Sequence, residues 1–242
     1  MIHALPLAFD RHTHVSLYAA LQACPSLAGL GREEALEVLR GLPEARLGVV
    51  TGWHSGRLPF EEEELDGLPP LMLLNFSLHG FRLNRPGEDY LRGSEPELVA
   101  RWREASWCER NLPRLFSLYG ALAGLDASKL AAFGARLEAL GIGQAEDMLL
   151  TDEAAWRVMR SEGPCRFWAS PELFRALPPE AQAEAQGLKL FADGAIGART
   201  AALSGTYLDG SRGMLLHEGE AFSEALTGLH PLGKALAIHA IG

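Results

Sequence analysis

Three stretches of the 242-residue chain carry side chains whose types and spacing could do chemistry. In LAFDRHTHVS, Leu7 to Ser16, two histidines stand one residue apart behind a short apolar run. A strand turns successive side chains to opposite faces, so His12 and His14, with Asp10, are expected on one face and Thr13 on the other. Two imidazoles on one face can chelate a divalent metal, and a carboxylate beside ligating rings commonly fixes their orientation. The alternative is two polar residues near a strand end.

In GLKLFADG, Lys189, Phe191 and Asp193 share one strand face while Leu188, Leu190 and Ala192 share the other. A lysine in an apolar strand snorkels, pairs with an acid such as Asp193, or is put to use. Its ammonium has no lone pair, so Lys189 binds metal only after losing its proton or becoming a carbamate. In ALAIHAIG, His239 lies in an apolar strand, where a lone histidine is either a buried, hydrogen-bonded residue or a ligand. GLHPLGKA, Gly228 to Ala235, has the spacing of a phosphate-binding GxxxxGK, but alanine follows Lys234 where a hydroxyl should hold magnesium, so it is set aside. His54, His217 and His230 fall in Gly- or Pro-rich loops and read as solvated.

The elements that must position these residues follow from periodicity. GREEALEVLRGL carries Leu36, Leu39 and Leu42 at helical spacing and stops before Pro43. ARLGVVTGW, LPPLMLLNFSLHG, CRFWAS, GLKLFADG and KALAIHAIG read as strands. Ser94 and Glu97 suggest a capping box with Pro96 in the first turn, Pro113 is expected to bend or split the helical region that follows, and Asp126 and Gly141 mark the two ends of another helix. Strands alternating with helices predict parallel βα units, hence a doubly wound sheet or a (β/α) barrel.

Composition limits the function classes. The chain is 48% hydrophobic and 22% charged with a net charge of −9, and no Lys/Arg block offers phosphates a landing strip, so nucleic acid is not the expected partner. The uncharged stretch Leu68 to Phe81, which includes prolines and a histidine, is shorter than the roughly 18–20 apolar residues that span a bilayer. MIHALPLAFDRHTH lacks the basic and apolar regions of a signal peptide, and Cys24, Cys108 and Cys165 form no CxxC pair, so a reducing cytoplasm is the expected setting.

Taken together, DRHTH, GWH with LDGLPPLMLLNFSLHGFRLN downstream, GLKLFADGAIGARTAAL and IHAIG resemble the amidohydrolase superfamily. Within it, the similarity is to the branch (amidohydrolase family 3) that includes N-substituted formamide deformylases and uncharacterised metal-dependent hydrolases. The resemblance implies a partial (β/α)8 TIM-type barrel of about strands 1–5, as one incomplete barrel domain over residues 1–242 with a helical insertion at about 94–151. It implies His12 and His14 as first-strand ligands, Lys189 as a fourth-strand lysine that can be carboxylated to bridge two metals, and His239 as a fifth-strand ligand. Trp53, His79, Asn84 and Asp193 match positions that resemble pocket wall. The implied cofactor is one or two divalent ions, with zinc expected, and the implied reaction is hydrolysis of an amide- or formamide-like C–N bond in a small molecule. The later-strand histidine and the proton-handling aspartate of the family pattern are not in this sequence, and the aspartate is expected beyond Gly242. A non-catalytic interaction module and an amidohydrolase-like deaminase are the rival readings, and an open barrel edge would invite self-association or a complementing chain.

Overall fold

The computed structural model describes residues 6–163 and 165–242; residues 1–5, part of the stretch weighed as a leader, lie outside them. Eight strands run through the described residues: β1 (Ala8–Thr13), β2 (Gly48–Trp53), β3 (Leu71–Asn75), β4 (Phe81–Leu83), β5 (Ile142–Asp147), β6 (Arg166–Ala169), β7 (Gly187–Phe191) and β8 (Ala235–His239). The chain divides into two compact units. One gathers Met1–Ala23, Phe116–Ala192 and His217–His239, and the other gathers Cys24–Leu115, Asp193–Leu216 and Ala240–Gly242.

The first unit is built on an all-parallel sheet in the order β1-β5-β6-β7-β8, curled as half a barrel. Parallel neighbours need crossover connections, and helices at Glu153–Ser161 and Glu220–Leu229 supply two of them. Alternation along β7 sorts its side chains as the sequence predicts. Leu188 and Leu190 enter an apolar layer with Phe167, Ala169, Trp156 and Phe174. Each such buried side chain contributes about 1.5–3 kcal/mol. Lys189 goes to the other face, and the close pairing of β6, β7 and β8 leaves no room at Gly187, where an added Cβ would sit 2.2 Å from the Trp168 ring.

Two strand assignments depart from the sequence reading. Ile142–Asp147, inside the stretch expected to be a helical insertion, is strand β5 and lies between β1 and β6. Its polar sequence, IGQAED, hides the strand; ladder bonds on both edges, rather than an apolar face, hold it. The strands at Gly48–Trp53 and Leu71–Asn75 leave the barrel sheet altogether.

Those two strands belong to the second unit, where β2 pairs parallel with β3 and β3 antiparallel with β4. Its core joins Val50, Leu71 and Leu73 to Leu36, Leu39 and Leu65. The helix Arg32–Arg40 forms as read, burying Ala35, Leu36 and Leu39 on one face. The capping box does not form. Pro96 begins its helix with Glu95 at the cap position, and Glu97 is drawn instead to Arg114 and the Trp107 indole. Pro113 does split the helical region, into Ala105–Arg110 and Leu112–Ala123. Asp126 caps Ala127–Ala139 by accepting the Lys129 N–H at 2.9 Å, and Gly141 follows with a φ of 81°. Among the described residues no helix is long and apolar enough to cross a membrane.

Candidate functional site

In the first unit His12 and His14 lie at and just past the carboxyl end of β1 and His239 ends β8, the end of parallel strands where α/β folds place their sites, while Lys189 is the middle residue of β7. Strict alternation along β1 stops after Asp10: the register with β5 is irregular between Asp10 and Thr13. The cause is local, because the Asp10 carboxylate accepts the His12 backbone N–H at 2.9 Å. Asp10 therefore positions His12 through the main chain. The two imidazoles remain neighbours, with ring centroids 6.1 Å apart and planes at 85°. His14 occupies the cap position of the helix Val15–Leu21, edge-on to Tyr18 and Phe116 at 5.9 and 5.6 Å.

That helix is anchored by groups with no obvious signature in the sequence. Ser16 donates its N–H to Asp147 at 2.9 Å, Leu149 donates to the other Asp147 oxygen, and the Ser16 hydroxyl accepts the Thr151 N–H. Complete burial pushes the Asp147 carboxyl above the usual carboxylate range, against the pull of these hydrogen bonds.

Lys189 is 2% exposed, with its ammonium 5.5 Å from the Phe191 ring centroid. Burial lowers its pKa, favouring the neutral amine. His12 is held below the ordinary imidazole value, first by desolvation and then by the charge of Lys189, with Asp10 pulling the other way. Lys189 thus lies within electrostatic reach of His12. His239 is the register partner of Phe191, their rings 5.2 Å apart, and its carbonyl accepts the Ala192 N–H.

Among the described residues no three His, Cys, Asp or Glu side chains are gathered so as to hold an ion. The structure sets two imidazoles side by side, with buried Lys189 within electrostatic reach of one of them and His239 on the strand next to that lysine. The donor chemistry suits a divalent ion: two neighbouring imidazoles, one of them biased toward its neutral, ligating form, and an amine whose burial favours the unprotonated state a carbamate starts from.

The remaining candidates belong to the second unit. Asn84 is 1% exposed and works as a structural hub. Its Oδ1 accepts the Leu71 and Gly87 N–H groups, and its Nδ2 donates to the carbonyls of Leu65, Leu68 and Pro69. Asp193 accepts three backbone N–H groups, from Ala202, Ile241 and Gly242, at 3.0, 3.0 and 2.7 Å. It ties loop Ala202 to the residues after β8.

Trp53 and His79 do line a cleft, of about 430 Å³. The Trp53 indole N–H is committed to the Leu58 carbonyl at 2.8 Å. His79 Nδ1 lies 2.9 Å from Glu109, a carboxylate 1% exposed, which also accepts the Thr200 hydroxyl. Gly194 is required at this spot, since a Cβ there would meet the Thr200 Oγ1 at 2.1 Å and Glu109 at 2.7 Å. Arg82, Arg103 and Arg199 also line the cleft, together with Glu62, which lies 3.6 Å from Arg103. Glu109 and the arginines carry no local signature: each reads as an ordinary surface charge. The nearby Cys108 thiol is pushed up to about 12, chiefly by burial, which makes it inert at neutral pH.

No protein-family model and no curated protein matches the chain. Among solved structures, it is similar to an uncharacterised metal-dependent hydrolase from Pyrococcus horikoshii OT3, at 25% identity and a TM-score of 0.62, over 98% of this chain and 53% of that one. It is also similar to an uncharacterised metal-dependent hydrolase from Pyrococcus furiosus, at 24% identity and a TM-score of 0.60, over 98% of this chain and 55% of that one. The fold is shared. This chain spans about half the length of the solved structures it matches.

Proposed function

We propose that this chain forms the metal-holding part of a metal-dependent hydrolase of the amidohydrolase type, acting on an amide- or formamide-like C–N bond of a small molecule. The observation that supports this reading is the side-by-side pair of His12 and His14 at the end of β1, in the same parallel sheet whose strand β7 carries the buried Lys189. The likeness to a metal-dependent hydrolase at 25% identity supports it.

His12 and His14 would give imidazole lone pairs. Lys189 would add to carbon dioxide as the free amine, forming an N–C bond and releasing one proton, so that two carbamate oxygens replace a nitrogen. His239 would join from β8, and Asp10 holds the His12 main chain in place. A zinc or similar divalent ion bound there supplies Lewis-acid activation of water and of a substrate carbonyl. Hydrolysis by the family's pattern would also need a proton-handling aspartate that is not among this chain's residues.

Apolar Leu236 and Ile238 on β8 are 39% and 40% exposed, and Ile241 beyond it 46%. That exposure favours pairing of β8 with a complementing strand or a second copy. The metal reading is tested by zinc loading, dialysis and elemental analysis of the chain and of the His12→Ala/His14→Ala variant. About one or two ions retained by the chain and lost in the variant are expected; negligible metal in both refutes it. A mass increment of one carboxyl group on Lys189 would mark the two-ion form.

A further inference from the structure

The cleft of the second unit contains a charge that the fold leaves to one side. Arg82, half-buried on β4, lines it and donates to the Phe60 carbonyl at 2.6 Å, and no carboxylate pairs with it among the described residues. Its neighbours are different. Arg103 is paired with Glu88 at 2.7 Å and with Glu62, the carboxylate of the cleft lining, at 3.6 Å, and stacks on Trp102 at 4.2 Å, and Arg199 is paired with Asp209 at 2.6 Å. A guanidinium has five N–H donors in a flat fork shaped for a planar oxyanion, and partial burial makes leaving it unpaired costly.

Trp53 and Trp102 give the same cleft flat apolar wall. Its volume of about 430 Å³ lies inside the range of roughly 300–1,000 Å³ found for small-molecule sites. The two non-glycine residues with left-handed backbone among the described residues also belong here: Leu78, at φ 61°, precedes His79, and Arg199, at φ 57°, is on the wall. Strain of this kind collects where a binding surface must be held in one shape.

We propose that this cleft is a binding site for a small organic carboxylate, with Arg82 gripping the carboxylate and the tryptophans covering a flat apolar body. The assignment uses only residues of the second unit and does not depend on the metal reading.

The test follows tryptophan fluorescence and calorimetry of the full chain, kept in chelator and carrying His12→Ala/His14→Ala so that no metal contributes. The probes are benzoate, its neutral counterpart benzamide, and inorganic phosphate. Benzoate is expected to bind saturably, and both benzamide binding to the same protein and benzoate binding to Arg82→Gln are expected to be weaker by about tenfold or more. Arg82→Lys, which keeps the charge and loses the fork, falls between. No saturable response to benzoate, equal affinity for benzoate and benzamide, or unchanged benzoate affinity in a folded Arg82→Gln would each overturn the proposal. Phosphate binding more tightly than benzoate would overturn the carboxylate assignment. Should Arg82→Gln fail to fold, the benzoate and benzamide comparison in unaltered Arg82 decides alone.

Discussion

Replacing Glu109 by alanine should be among the most damaging single changes in the second unit. Its carboxylate is 1% exposed on the side chain and faces an imidazole that is 9% exposed, so solvent screens neither. Alanine removes the acceptor of the His79 N–H and the nearer of the two acceptors of the Thr200 hydroxyl together, leaving both donors short of a carboxylate at the cleft wall. Breaking a buried pair by removing one partner costs about 3–5 kcal/mol. At 2–4 °C per kcal/mol for a chain of this size, the melting temperature should drop by roughly 6–20 °C. Glu109→Gln keeps one acceptor oxygen and should lose about half as much. The pair is isolated by a double-mutant cycle with His79→Ala, read by urea unfolding followed through tryptophan fluorescence. The coupling energy should be about 1.5–3 kcal/mol. A Glu109→Ala protein within about 1 kcal/mol of the parent, or a coupling below about 0.5 kcal/mol, would show that the carboxylate is not holding the ring and hydroxyl as described.

Two further changes probe the scaffold. Asn84→Ala strips acceptors from two N–H groups and a donor from three carbonyls, so it should lower stability by about 3–5 kcal/mol in thermal unfolding; a loss under about 1 kcal/mol would contradict the hub. Asp147 has its folded pKa raised by burial, so its contribution is most favourable below the ordinary carboxylate value of about 3.9 and is lost as pH rises through the folded value. Within that window the parent should lose up to about 1.4 kcal/mol of stability per pH unit relative to Asp147→Asn. Parallel pH profiles for the two proteins would refute the assignment.

Much of the chain was legible where its signals are local. The alternation in GLKLF separates Leu188 and Leu190 from Lys189, and the structure keeps that separation. Asp126, Gly141 and Pro113 mark helix ends by their own backbone chemistry, and they do so here. What stayed hidden depends on distant partners. β5 is a strand because β1 and β6 bond to it on either side, which IGQAED does not announce. The bend after Asp10 needs its carboxylate to find a main-chain N–H, so spacing alone put His12 on too regular a face. Asn84 read as pocket wall through the resemblance, and the five bonds that make it a hub come from residues up to 19 positions away. Glu109 could not be distinguished from a surface acid, since only the fold brings Thr200 to it from 91 positions along the chain.

The contact between Ser16 and Asp147 spans 131 positions. On the ribosome, where about 5–20 residues are added each second, the first strand and its helix must wait roughly 7–26 s for the chain that will dock against them. Throughout that interval the histidine-bearing segment lacks its β5 partner, while the intervening stretch has time to collapse on its own leucines. Synthesis speed, and chaperones that shield the waiting strand and helix, therefore bear directly on the folding of this unit.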